Sequence, residues 1–459
     1  MVFYLFCAIF ALSAASYLLG RRRAVNVASF DALTLHSRPG YHGAFVAMWA
    51  GLPSFILVLL WLLFQGPVVD GLLVSSLPAE RIAGLDSARI DLLVSEIKAV
   101  ARGRVFGEPD EHVLAAAERF ASWQGIARWA MAACAIALLL FGAAVARSRI
   151  GTRFRAPQGV ERVMDVLMIF CSLVAILTTV GIVSSLLFEA YRFFQHVPMT
   201  EFFFGLRWEP QIAIREDQVA GQGAFGAVPV FVGTLLIAVI AMVVAVPVGL
   251  LAAIYLAEYA TSRFRSVVKP VLEILAGVPT VVYGFFAVLT VAPAMRRFGD
   301  AIGIEVAPNS ALTAGAVMGI MIIPFVSSLS DDALNAVPQS MREGSLGLGA
   351  TKSETILQVL LPAALPGIMG GVLLAASRAI GETMIVVMAA GLIANMTANP
   401  LEGVTTVTVQ IVTLLIGDTE FDSPKTLAAF ALGLVLFVAT LCLNVVALRL
   451  VQKYREKYD

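Results

Sequence analysis

Arg378 and Glu382 sit four residues apart in a long apolar run. From 363 to 392 the chain reads AALPGIMGGVLLAASRAIGETMIVVMAAGL, and these two are its only charges. A charge at the centre of a lone membrane span costs about 2.5–3.5 kcal/mol on insertion scales. Two are tolerated where they face each other, a partner or a water-filled path. At i, i+4 they share one helix face and can meet. Two readings stay open: a structural ion pair that hides both charges, or a pair that lines a path for an anion. A guanidinium brings fixed positive charge and forked N–H donors, which an ammonium does not. Thr383 is the nearest neutral partner.

A second stretch with chemistry in it is MREGSLGLGATKSETILQVLLPAALPGI, 341–368. SLGLGA is too glycine-rich for a continuous helix. TKSETILQVLL resumes helical character, Pro362 is expected to end it, and Pro366 to open the next span. The pattern predicts helix, glycine turn, helix: an elbow at the membrane surface, serving as a connection or as a docking surface for a soluble partner. GLGATKS within it imitates a phosphate loop. A Walker A motif needs Gly directly before Lys, and Thr351 stands there with no strand ahead of it. No ATPase site is therefore expected in this chain. The four cysteines (Cys7, Cys134, Cys171, Cys442) lie apart in apolar runs, and His36, His42, His112 and His196 form no ligand spacing. No metal, disulfide or cofactor is expected.

The elements that must position these residues follow from composition. The chain has 459 residues, 59% hydrophobic and 14% charged. That balance predicts an all-α polytopic membrane protein in contact with lipid. A formal net charge of +0 argues against nucleic-acid binding. A span needs roughly 20 apolar residues. Nine candidates lie near 2–19, 44–64, 127–146, 166–188, 228–256, 271–292, 310–330, 366–393 and 427–450. Arg21–Arg23 follow the first span, five arginines fill 147–165, Arg263, Arg265 and Lys269 follow the fifth, and Lys453, Arg455 and Lys457 close the chain. The positive-inside rule then predicts an outside N-terminus and a cytoplasmic C-terminus.

Between the second and third spans, 66–126 predicts an external α-hairpin. DSARIDLLVSEIKAVARG (86–103) has helical spacing, with Ser87 to cap its start and Gly103 its end; EPDEHVLAAAERFASW (108–123) is the second helix. It is a spacer or a docking element. The chain divides near 155: residues 1–155 form an accessory region of three spans plus the hairpin, and 156–459 a six-span unit. GAVMG (315–319) and GIMGG (367–371) predict close helix contact, within the chain or with a partner.

The elbow's spacing resembles the EAA loop of ABC importer permeases, E-A-A-x₃-G-x₉-I-x-L-P. Glu343, Gly349, Leu361 and Pro362 stand at the matching offsets, with Gly344 and Ser345 in place of the two alanines and Val359 in place of isoleucine. FGAVPVFVGTL (225–235), PVGLLAAIYLAEYA (247–260), LEILAGVPTVVYGFF (272–286), FFFGLRWEP (202–210) and SRAIGETMIV (377–386) are similar to the phosphate-specific (Pst) branch, and to its PstC-type permeases within it. The likeness covers about 160–459.

The resemblance implies a MetI-like permease core in the last six spans, in a bacterial inner membrane. It implies an elbow seated in a PstB-like ATPase subunit, with Glu343, Gly344, Ser345, Gly349 and Pro362 as the coupling residues. It implies a second, PstA-like permease, a periplasmic phosphate-binding protein, and phosphate as substrate. Arg378 and Glu382 match the positions associated with the translocation path, and Thr383 neighbours them. Glu382 could hold Arg378 when the path is empty. It could also accept a proton-bearing phosphate oxygen, rejecting fully ionised sulfate. Other oxyanions such as sulfate or molybdate, a secondary transporter, and a phosphate-sensing scaffold for a signalling kinase are the alternatives. The secondary transporter is disfavoured because no other span carries a comparable charged pair.

Overall fold

A computed structural model describes residues 2–31, 35–77, 87–103, 110–210, 223–416 and 423–454. Arg455 and Lys457 lie outside these, as does the side chain of Ser87. Among the described residues, nine helices are long and apolar enough to cross a membrane. The chain separates into two compact units, Met1–Leu177 and Thr178–Asp459.

The first unit is built on α1 (Val2–Asp31), α2 (Pro39–Ser75) and α4 (Glu111–Ser148). Leu5, Ile9, Ala50, Val58, Met131 and Leu139 form their shared core. The short helix α3 (Ser87–Ala101) packs Val94 and Ile97 against Val69, Leu73, Val113 and Phe120. Lys98 donates to Asp70 at 2.8 Å across the same contact. The expected two-helix hairpin is therefore three helices, because α2 and α4 run on past their apolar windows. Nothing in ASWQGIARW breaks a helix, so 111–123 joins the third span instead of forming an element of its own. Helix α5 (Ala156–His196) carries the division between the units.

The second unit begins with the end of α5, a short helix α6 (Met199–Phe204), and a two-residue ladder of β1 (Trp208–Glu209) with β2 (Ala224–Phe225). Phe193, Phe202, Trp208 and Phe225 bury together there. Helix α7 (Val228–Ile254) continues through a π turn, Tyr255–Tyr259. Helix α8 (Ser262–Ala276) is amphipathic and buries no residue. The sixth span was expected near 271–292. It starts instead at α9 (Thr280–Phe286), since Gly277 closes α8 and Pro279 precedes the next helix. Pro279 disfavours helical backbone at Val278. Tyr283 hydroxyl donates to Leu275 carbonyl at 2.9 Å and ties the two sides of the break. A π turn, Ala287–Val291, leads on to α10 (Ala292–Ile302).

Helix α11 (Ala311–Asn335) is the most buried span. It lies parallel to α7, and its glycines set the spacing. A Cβ on Gly315 would stand 2.7 Å from Ile240, and one on Gly319 2.9 Å from the Ala241 carbonyl. The GAVMG contact is thus made within the chain. Gly319→Leu should force the two helices apart, costing about 1–3 kcal/mol. A lower melting temperature of the purified protein in detergent reports it; an unchanged value contradicts a tight seam.

Candidate functional site

Past α11 the chain forms the elbow. Helix α12 (Gln339–Gly347) ends at Leu348, and Gly349 adopts φ +91°, a left-handed value that side chains resist. Thr351 and Glu354 form a reciprocal capping box that starts α13 (Lys352–Thr355). A π turn, Ile356–Leu360, then runs directly into α14 (Leu361–Ile380). Pro362 was expected to end a helix and Pro366 to begin one. Both lie inside a continuous helix instead. Proline has no N–H to donate back along the helix, and the wider π turn accommodates the gap.

The elbow residues separate by direction. Glu343, Gly344 and Gly349 are exposed, and Leu348 is 92% exposed. Open space surrounds Gly344, Gly347 and Gly349. Ser345 turns inward, its hydroxyl 3.0 Å from that of Thr355. Pro362 is exposed at the start of α14. The outward face is therefore a carboxylate, bare glycines and the leucine side chains of Leu346 and Leu348. That surface can seat in a groove of another protein.

Helix α14 runs antiparallel to α11. Gly371 meets Leu329, and Gly367 meets Ala333. Continuing that register sets Arg378 level with Ile322, near the middle of α11. Arg378 is exposed there, its guanidinium 5.9 Å from the Phe325 ring centroid. Such a cation–π contact contributes about 0.5–1 kcal/mol. It leaves the charge unneutralised.

Arg378 and Glu382 do not share a helix face. The helix ends at Ile380, and Gly381 begins a break. No ion pair joins the two among the described residues. The Glu382 carboxylate instead accepts from the backbone N–H of Met384 at 3.0 Å and of Ile385 at 3.5 Å. Those are free donors at the start of a six-residue helix, α15 (Met384–Ala389). The expected i, i+4 contact fails because Glu382 lies beyond the break and caps the next element. Thr383 directs its hydroxyl back to the Gly381 carbonyl at 3.5 Å.

Residues 390–406 then run without regular helix to α16 (Val407–Leu415), before the last span α17 (Pro424–Tyr454). Polar side chains partner this irregular backbone. Thr408 hydroxyl donates to Glu382 carbonyl at 2.8 Å, and Thr234 hydroxyl accepts from Val407 N–H at 3.0 Å. Gln410 donates to Leu392 carbonyl at 2.9 Å and accepts from Trp208 indole at 2.9 Å. The expected span 366–393 is therefore a helix to 380, a break at Gly381, the short helix α15 and a partly exposed irregular stretch.

Sequence reasoning passed over Asp331. It is buried on α11 and accepts from Arg265 at 2.9 Å and Lys269 at 2.8 Å, both on α8. Its hydrogen bond holds Lys269 above the usual lysine range. The signal was available: an acid in an apolar span, and two cations i, i+4 on an amphipathic segment. A cavity of about 210 Å³ lies beside this clamp, lined by Lys269, Glu273, Ser327 and Asp331. Phe325 borders it too.

Residues 6–178 match the family described as "Phosphate ATP-binding cassette transporter". Residues 245–456 match "Binding-protein-dependent transport system inner membrane component". The "Probable ABC transporter permease protein YqgH" of Bacillus subtilis is 33% identical over 270 residues, 58% of this chain and 83% of its own length. The "Phosphate transport system permease protein PstC 1" of Mycobacterium tuberculosis is 34% identical over 277 residues, covering 55% and 81%. The "Phosphate transport system permease protein PstC" of Mesorhizobium japonicum is 32% identical over 241 residues, covering 49% and 72%. The region before residue 155, where no likeness was legible, thus has a family match of its own.

Proposed function

Because the chain belongs to the PstC-type permease family of binding-protein-dependent ABC importers, we propose that it is a permease subunit of an ATP-driven phosphate importer. It passes phosphate from a periplasmic binding protein to the cytoplasm across a bacterial inner membrane. ATP hydrolysis belongs to a separate PstB-like subunit seated on the elbow, and a PstA-like permease completes the path. The N-terminus is periplasmic and the C-terminus cytoplasmic, as the arginine-rich loops favour. Residues 156–459 are the permease core and 1–155 an accessory region.

Arg378 carries the pathway reading. It is a cation exposed at the depth of the middle of α11. Hydrocarbon does not tolerate such a charge, so water, substrate or the second permease must face it. Its forked donors match the oxygens of phosphate. Glu382 is less a counter-charge than a cap that holds the break open. In that role it keeps Arg378 uncompensated and available to an anion. Thr383 supplies a hydroxyl beside the break. The Phe325 ring stands under the guanidinium and borders the cavity around Lys269, which continues the route inward.

Arg378→Ala should abolish phosphate uptake into proteoliposomes while the complex still assembles. Uptake at the unmodified rate contradicts the pathway assignment. Glu343→Lys should leave the complex in the membrane and let ATP hydrolysis run without uptake. A normal ratio of phosphate moved to ATP consumed refutes the elbow's role as the coupling surface.

A further inference from the structure

Beyond its apolar packing, the elbow meets the end of α7 through two cations. Just before the outward Glu343, Arg342 turns inward, and its guanidinium stands 3.1 Å from the Glu258 carboxylate. That approach is an ion pair whose geometry falls short of a hydrogen bond, since the same Glu258 oxygen has no hydrogen-bond partner. Arg342 also donates to the Leu334 carbonyl near the end of α11, at 2.8 Å. On the far side of the glycine turn, Lys352 places its ammonium 5.0 Å from the Tyr259 ring centroid. Glu258 and Tyr259 are adjacent residues of one π turn, Tyr255–Tyr259. Cations from both limbs of the elbow thus converge on it.

Covalently, the elbow joins only α11 and α14. Helix α7 connects to it through side chains alone. Both charges of the ion pair are mostly buried, with side-chain exposures of 20% for Arg342 and 12% for Glu258. They lie beside an apolar cluster of Ala253, Leu334, Val337, Ile356 and Leu360. A buried pair of this kind is weak evidence for stability, because desolvation offsets the attraction. It is direction-specific, however: a displacement of α12 drags or breaks it.

We propose that the Arg342–Glu258 pair is the joint through which elbow displacement reaches α7. Arg342 is a positioning residue, and the π turn is the receiving element. The inference rests on the elbow being the ATPase-coupling surface. From α7 the motion passes to α11 along the glycine seam. From α11 it passes to α8 through Asp331, since α8 buries no side chain of its own and is held there by Arg265 and Lys269.

The test replaces both charges with unbranched apolar side chains, E258M/R342M, so that neither charge is stranded. The complete transporter, with ATPase and binding protein, is placed in proteoliposomes and both phosphate uptake and ATP hydrolysis are measured. Phosphate moved per ATP should fall about 10-fold, within the usual range for a coupling free energy, while hydrolysis persists. The conservative R342K variant should recover part of the ratio. An unchanged ratio in E258M/R342M overturns the proposal. Failure of that variant to assemble also counts against it, because a pair that only transmits motion is dispensable for assembly. Glu343→Lys run in parallel separates the two claims: if it uncouples and E258M/R342M does not, the elbow reading stands and the joint falls.

Discussion

Backbone that leaves a helix inside a bilayer must find its hydrogen-bond partners within the protein, because hydrocarbon offers none. Much of the second unit is arranged around one such departure. The helix that should have carried residues 366–393 stops at Ile380, and the chain does not regain a long helix until Pro424. The intervening backbone is held by side chains: Thr234 of α7 accepts from the Val407 N–H, and Thr408 and Gln410 of α16 donate to the Glu382 and Leu392 carbonyls, with Gln410 itself held by the Trp208 indole. Glu382 belongs to the same accounting. Its carboxylate accepts from two N–H groups that the break leaves without helical partners. A charge that first looks like a counter-ion is part of the scaffold that keeps the break open.

The charges of the second unit sort by depth and partner. At the ends of α7 and α11 nearest the elbow, Asp331 is buried and Glu258 half-buried, and each meets a cation. These carboxylates fix α8 and the elbow to the α7–α11 body. Arg378 is different. It stands level with the middle of α11, exposed, with the aromatic face of Phe325 beside it and no ion pair among the described residues. An arginine held so is poorly explained as structure and well explained as a ligand, since its field is not cancelled locally. In the proposed function, the same contrast separates positions that carry force from a position that meets cargo.

The long apolar runs were legible because periodicity and length carry that information directly, and the first, third, fifth, seventh and ninth spans each begin or end within three residues of their windows. The elbow was legible through its glycine-rich turn, where Gly349 adopts a positive φ. Errors fell where a tertiary partner decides. Pro362 reads as a stop in sequence, yet a π turn absorbs it. Gly381 does not read as a stop, yet the helix ends there because Glu382 and Thr408 supply the partners that make ending possible. The i, i+4 rule for Arg378 and Glu382 assumed the helix continued, so the pairing failed with it. Asp331 and the Arg342–Glu258 pair depend on contacts 62 residues or more apart in the chain, beyond the reach of local pattern. The merging of 111–123 with the third span was missed for a simpler reason: a polar stretch was taken as a boundary where no residue breaks the helix.

The central claim is that position 378 faces an aqueous anion path in the assembled transporter. The most direct measurement is the accessibility of Arg378→Cys in a chain whose Cys7, Cys134, Cys171 and Cys442 are replaced by serine. In the assembled complex, a small charged, water-soluble thiol reagent should label that cysteine, and phosphate supplied with the binding protein and ATP should slow the labelling. Labelling only by a lipid-soluble maleimide, unaffected by phosphate, would place the residue in hydrocarbon and contradict the account.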